Sequence, residues 1–477
     1  MSRPLVAGLC LATACSSLGA ASDRKPEESA WPAVAQPGIP GPWEMRTAQP
    51  LPALADIVAQ PGPGRLIYGL YVWAGEYHAH RASIRAVGWP SLRVAGPFDD
   101  RLMKALVEDQ ARVMVTLENR LLDAEQGKDR SAFVTDDEFL AACREQMLQF
   151  LNRYGPGGSF FVDHAELPVR PIHEVEIWNE PNFQYLIPPD GRPQEDLEAA
   201  REDLYIRLLQ TVYPALKQSH PEVAIVGMAG GGMSAGDLRF VEHVHARSPG
   251  LAEMYDIFST HPYVRPAPPE ANLVESWGSY SIARSIAHHR AVLASHGPAS
   301  KPVWITEIGW PIAQSDGGRY ATPAHVPLVT PLLQAAYACR TYALALRLGV
   351  ARVHMMFSTD TDNFNGGFFL RDGTWRPSAR AVQTMIRMLP DPRLTGALHD
   401  GEAGLHVYTF APGAANASEV LMAWNVAGPR AWSWPTTTRR VRVTDMLGHE
   451  TEQAAVNGRI TLTVGPCPVW IQPIDGE

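Results

Sequence analysis

The chain has 477 residues, 45% hydrophobic and 19% charged, which excludes a disordered protein and exceeds what one ordinary core organises. A net charge of −9 and a pI near 6.0 exclude a nucleic-acid binder with a basic face, and leave neutral and anionic polysaccharides open. The five cysteines (Cys10, Cys15, Cys143, Cys339 and Cys467) form no CxxC pair and no disulfide framework.

The N-terminus reads as an export signal over residues 1–21. Arg3 supplies the positive end, Leu5 to Ala14 a short apolar run, and small residues come next. Leu11-Ala-Thr-Ala-Cys15 resembles a lipoprotein processing site that would lipidate Cys15 and anchor the chain to a membrane; ordinary cleavage near Gly19-Ala20-Ala21 is the alternative. The expected location is exported: periplasmic, membrane-anchored or secreted. Residues 22–62 are rich in Pro and Gly and read as a semi-rigid tether, with Trp43 placed to pack on the main domain.

From residue 63 to 390, short apolar runs alternate with longer helical stretches. Strands are predicted over 66–71, 91–94, 112–117, 173–178, 223–227, 255–259, 302–306 and 351–357. Helices are predicted over 79–87, 99–109, 136–154, 195–218, 238–246, 280–296, 331–348 and 377–388, with Cys143 and Cys339 as small buried hydrophobes. Eight strand-then-helix units imply an α/β fold, a (β/α)8 TIM barrel. Residues 391–477 change texture: strand-like runs at 406–410, 419–424, 440–444, 459–464 and 469–472 predict a C-terminal antiparallel β-sandwich domain, a cap on the barrel or a carbohydrate-binding module.

Two segments carry chemistry. Glu174-Val-Glu-Ile-Trp-Asn-Glu180-Pro-Asn182 ends the fourth strand, and Pro302-Val-Trp-Ile-Thr-Glu307-Ile-Gly-Trp-Pro311 ends the seventh. Active sites of such barrels lie at the C-terminal strand ends, so Glu180 and Glu307 are expected to face one pocket. Two carboxyl groups so placed equip a site to cleave a glycosidic bond. The acid of the pair needs a raised pKa, for which Trp178 and Pro181 offer an apolar surround. Arg93, ending the second strand, is a candidate cation for the other. Asn179 is a candidate to grip a sugar hydroxyl. His261 and Tyr263, after the sixth strand, reach the same rim and are candidates to bind a carboxylate or the substrate; Trp310 is a further substrate-binding candidate. Glu174 is expected to be remote from the rim, and Glu176 to pair with an Arg inside the barrel. Glu118-Asn119-Arg120 ends the third strand, as sugar contacts or as loop structure. The polar loop 359–367 is expected to shape a cleft wall, and its Asp spacing lacks the pattern of a known calcium loop.

Glu176-Ile-Trp-Asn-Glu180-Pro-Asn182 and Trp304-Ile-Thr-Glu307 resemble the signature strands of clan A retaining glycoside hydrolases, with closest likeness to glycoside hydrolase family 39 and the endoglycosidases of bacterial exopolysaccharide operons. Gly309-Trp310-Pro311 is also similar to laminarinase-like members of that clan. The resemblance implies a barrel with a β-sandwich, Glu180 as acid/base and Glu307 as nucleophile. It implies no cofactor and no metal, and a polysaccharide or oligosaccharide as substrate. Endo-acting hydrolysis of an exopolysaccharide by a monomer is the expectation; a transglycosylase using the same pair and a non-catalytic polysaccharide-binding or assembly protein are the alternatives.

Overall fold

The computed structural model describes residues 51–60, 62–118, 130–232, 236–275, 278–298, 300–312, 328–361, 364–411 and 418–474. The export signal, Cys15, Trp43 and most of the Pro/Gly-rich stretch lie outside the described residues, as do Asn119 and Arg120.

After the short helix α1 (Leu54–Val58), eight parallel strands close into a barrel. In chain order they are β1 (Tyr68–Trp73), β2 (Ser91–Ala95), β3 (Arg112–Leu117), β4 (Glu174–Ile177), β5 (Ala224–Gly232) and β6 (Ile257–Pro262), then, beyond the small hairpin β7 (Leu273–Glu275) and β8 (Gly278–Tyr280), β9 (Val303–Ile308) and β10 (Arg352–Met355). Each barrel strand pairs with its chain neighbours, and β1 closes the ring against β10. The outer helices are α2 (Tyr77–Val87), α3 (Asp100–Glu108), α4 (Asp136–Tyr154), α5 (Ser159–Asp163), α6 (Gln194–Ser219), α7 (Gly236–Arg247), α8 (Ile282–His296), α9 (Pro331–Arg347) and α10 (Pro377–Met388). Local chemistry starts them where the sequence predicts. Thr135 and Glu138 form a reciprocal capping box on α4, and Thr330 caps α9 just ahead of Pro331.

The fifth strand runs past its predicted end at 227. Ala229-Gly230-Gly231-Gly232 reads as a breaker, yet the strand continues to Gly232 through a register shift between Gly227 and Gly230. Met228 (φ 81°) and Ala229 (φ 41°) carry this bulge in left-handed backbone.

Charged layers fill part of the barrel. Near its N-terminal end Glu174 pairs with Arg112 and Arg352, far from the rim as expected. Two residues up the strand, Glu176 accepts two bonds from Arg93, at 2.8 and 2.6 Å, and one from Thr116 at 3.1 Å. Burial alone would raise the Glu176 carboxyl, but the Arg93 guanidinium, joined by the His261 charge and by hydrogen bonds, holds it below its ordinary value.

The C-terminal region holds eight strands rather than the five predicted: β11 (Arg393–Asp400), β12 (Leu405–Ala411), β13 (Val420–Asn425), β14 (Arg430–Pro435), β15 (Arg440–Asp445), β16 (Glu450–Ala454), β17 (Arg459–Val464) and β18 (Val469–Pro473). Six form one sheet in the order β11-β12-β13-β18-β15-β16, and β14 pairs with β17 as a ribbon over it. Val407, Ala423, Trp432, Ile460, Val464 and Ile471 fill the space between the layers. Two of the three unpredicted strands lack a clean apolar alternation: β16 is Glu-Thr-Glu-Gln-Ala, and β11 is largely half-buried and interrupted by bulges.

The barrel and the sandwich meet at a buried polar junction. Glu270 Oε1 accepts from Arg340 Nε at 2.9 Å and from Trp424 Nε1 at 2.8 Å, while Arg340 Nη1 donates to the Pro466 carbonyl at 3.2 Å. His406 stacks flat on Trp424, with ring centres 4.8 Å apart. Cys143, Cys339 and Cys467 are free thiols and buried. Among the described residues no helix is long and apolar enough to cross a membrane.

Candidate active site

Beyond Ile177 the backbone of the fourth strand turns sharply. Trp178 (φ 68°) and Glu180 (φ 45°) both occupy the left-handed region, which costs a side-chain-bearing residue on the order of 1–3 kcal/mol. The surroundings hold them there. The Glu180 amide donates to the Ala229 carbonyl on the bulge of β5 at 3.2 Å. Asn182 clamps the same turn to β5, donating to the Gly231 carbonyl at 2.6 Å and accepting from its amide at 3.0 Å. The Trp178 ring packs against Phe139 of α4, with centres 5.6 Å apart. Glu180 lies against β5, where Gly231 leaves room for the carboxylate.

Glu307 needs no such turn, because it lies within β9 with its side chain toward the barrel axis. Arg93 Nη1 donates to its Oε2 at 3.1 Å, and the Tyr263 hydroxyl donates to its Oε1. The same guanidinium binds Glu176 and donates to Asn179 Oδ1 at 2.8 Å, and it rests on the Tyr71 ring at 4.2 Å. One cation thereby fixes residues from three strand ends. His261 bridges the pair, with Nδ1 3.0 Å from Glu180 Oε1 and 3.9 Å from Glu307 Oε2, and Nε2 3.0 Å from the Thr306 hydroxyl. A ring nitrogen of His261 and an oxygen from each glutamate lie within 4.8 Å of one another.

Electrostatics separate the roles. Burial raises the Glu180 carboxyl above its ordinary value; the His261 hydrogen bond opposes this and the Glu307 charge adds to it. Burial would lower the His261 imidazole, but the Glu307 charge and the bond to Glu180 outweigh it and raise it. Burial, reinforced by the Glu307 charge, raises the Tyr263 phenol, so it stays a donor. The three ligand atoms are close enough for a metal ion. The Arg93 guanidinium, however, lies within hydrogen-bonding distance of the Glu307 carboxylate and repels a second cation there.

Three of the candidates for holding a carboxylate or the substrate contact the two carboxylates. Arg93 and His261 are fully buried and Tyr263 is 4% exposed, so they position the carboxylates rather than meet a ligand from solvent. Trp310 requires a plainer correction. It is 2% exposed, donates to the Ala267 carbonyl at 2.8 Å and packs on Tyr337 of α9, because the chain after β9 carries the indole into the core. Asn179 is half-buried; Arg93 occupies its oxygen, which leaves the amide nitrogen as the donor end. Glu118 is buried at the end of β3. In the loop 359–367, Asp360 is committed to Arg376 at 2.6 and 2.7 Å and to the Gly367 amide at 2.8 Å.

Other contributors escape a reading of motifs. Gly231, Asn182 and Thr306 act on the pair through the contacts just described. Tyr71, Phe357 and Phe364, with half-buried Trp73, form an aromatic cluster at the ends of β1 and β10, beside Tyr263 and Met356. Glu76, just after β1, accepts from Thr359 and Ser358; burial raises its carboxyl and those bonds oppose the shift. For Asn182 the signal was available, since it completes the Asn-Glu-Pro-Asn run.

No family model matches the sequence, and no curated protein does. Solved structures match. A family 39 glycoside hydrolase from the gut symbiont Bacteroides cellulosilyticus WH2 superposes with a TM-score of 0.63 at 20% identity, over 86% of this chain and 81% of that one. A monomeric β-xylosidase from Caulobacter crescentus CB15 gives 0.54 at 13% identity, over 86% and 96%. A GH39 enzyme from Xanthomonas axonopodis pv. citri gives 0.51 at 14%, over 87% and 96%. The chain shares their fold.

Proposed function

We propose that this protein is a retaining glycoside hydrolase of the family 39 type, cleaving a polysaccharide by double displacement. The observation that carries the reading is the spacing of the two carboxylates, an oxygen of each lying within 4.8 Å of the other. Retaining enzymes hold their carboxyl groups about 5–5.5 Å apart, whereas inverting enzymes need about 6.5–9.5 Å to admit a water. In the first step a Glu307 oxygen bonds to the anomeric carbon as the glycosidic C–O bond breaks, and Glu180 gives its proton to the departing oxygen. In the second, Glu180 takes a proton from water, and the hydroxide so formed displaces Glu307. The raised Glu180 carboxyl suits a group that must begin protonated and end as a base. Arg93 and Tyr263 fix the attacking oxygens and balance the charge Glu307 regains on release.

The shared fold and the two strand-end motifs support the family, and a β-xylosidase and a glucosidase among the structural relatives make β-xylosides and glucosides sensible first substrates. We further propose endo-action, with the producing cell's own exopolysaccharide as the first polymer to assay, and export with lipidation at Cys15, which metabolic palmitate labelling tests. Incubation with 2-deoxy-2-fluoro-β-D-xylosyl and -glucosyl fluorides tests the mechanism. A stoichiometric mass increase mapped to the Glu307 peptide is expected; no adduct, or an adduct elsewhere, sinks the assignment.

A further inference from the structure

We infer that Phe183 and Tyr185 form a sugar-stacking platform on the leaving-group side of the bond to be cleaved, a subsite for at least one further pyranose ring; this rests on the proposed retaining mechanism. Among the described residues, the exposed large hydrophobic side chains are aliphatic except for these two, at 40% and 36% exposure. Both fall within five residues of Glu180.

The segment that presents them is anchored along its length. The Phe183 amide donates to the Glu180 carbonyl at 2.9 Å, so the first ring leaves the backbone directly beyond the acid. Asn182 ties the turn to Gly231 by its two bonds. Leu186 is fully buried, and Arg201 holds the Ile187 carbonyl at 2.9 and 2.7 Å. Between these anchors the two aromatic side chains keep part of their surface exposed, 40% for Phe183 and 36% for Tyr185. Exposed aromatic area next to a site is costly to leave in water and gains from an apolar face laid on it. A pyranose offers such a face of polarised C–H bonds to the electron-rich face of a ring.

The side follows from the chemistry. Glu180 protonates the leaving oxygen, so the sugar bearing that oxygen must lie against the element that carries Glu180. The cluster of Trp73, Tyr71 and Phe357 stands elsewhere on the rim, on β1 and just past β10, and β10 is the neighbour of the strand that carries Glu307.

The glycosyl-enzyme isolates this subsite, because only the leaving-group side is then vacant. The wild-type protein is trapped with the 2-fluoro glycosyl fluorides, freed of excess reagent, and reactivated in buffer alone or with xylobiose, cellobiose or laminaribiose. Each protein serves as its own reference: reactivation with acceptor divided by reactivation without. Acceleration of about tenfold or more is expected for at least one disaccharide, falling to near unity in Phe183→Ala/Tyr185→Ala, a loss of the size set by one or two aromatic contacts. Phe183→Tyr/Tyr185→Phe keeps both rings and should keep the acceleration. Equal acceleration in the double-alanine variant, or none in the wild type despite a labelled Glu307, overturns the subsite and leaves the retaining mechanism standing. Failure to label Glu307 at all removes both.

Discussion

Gly231 lies directly beneath Glu180: a Cβ on Gly231 would come within 2.2 Å of Glu180 Oε1 and 2.3 Å of its Cδ. The glycine on β5 therefore defines where the acid carboxylate can sit. Gly231→Ala should push that carboxylate aside while costing little stability, because the atoms displaced end a flexible side chain. A misplacement near 1 Å costs about 10²-fold in rate. A fall in kcat by about that factor is expected, with Tm nearly unchanged; an unimpaired enzyme would show that Glu180 acts from another position.

Arg93 is shared by Glu307, Glu176 and Asn179. A lysine keeps the charge but loses the planar fork that reaches three acceptors. Arg93→Lys should lower kcat by about 10²-fold, as expected for a slackened nucleophile, with a smaller change in KM. A loss confined to KM would make Arg93 a ligand-binding group instead.

The raised Glu180 carboxyl makes a stability prediction of definite sign. The folded state holds this proton more tightly than the unfolded chain, so its contribution is fully present below the unfolded value near 4.5 and is lost as pH rises through the higher folded value. Glu180→Gln stays neutral throughout. The Tm of the variant relative to wild type should therefore climb between pH 4 and 7, and a flat difference would contradict the raised carboxyl.

Covalent occupation of Glu307 removes the negative charge that helps raise Glu180. In the trapped glycosyl-enzyme the Glu180 carboxyl should titrate lower than in the free enzyme, as the base of the second step requires. Carbon-13 NMR of labelled glutamate carboxyls, free and trapped, reads the shift directly.

The Glu270–Arg340 junction is structural. Glu270→Ala strands Arg340 in a fully buried site at the barrel–sandwich contact, and removal of one partner of a buried pair costs about 3–5 kcal/mol. Urea denaturation should show a loss of that size, while a change below about 1 kcal/mol would place solvent at the junction.

Much of the barrel was legible because its signals are local. Periodicity and caps reside in contiguous residues, so α4 and α10 begin and end where the sequence predicts. Less of the C-terminal region was legible, since β11 and β16 are specified by pairing partners rather than by their own alternation. Trp310 illustrates the limit for site residues: its place in the motif suggests a sugar contact, and only packing against α9 shows that it is core.

By itself the sequence determined the eightfold alternation of strands and helices and put a glutamate at the end of the fourth and of the seventh, since strand ends and their side-chain parity are written locally. Tertiary structure decided what surrounds those glutamates. Arg93 meets Glu307 across 214 residues and His261 meets Glu180 across 81, contacts that exist only once the barrel closes. Closure also sets Gly231 beneath the acid and brings a His261 nitrogen and one oxygen of each glutamate within 4.8 Å of one another. The chemistry depends on those distances, and no local pattern encodes them.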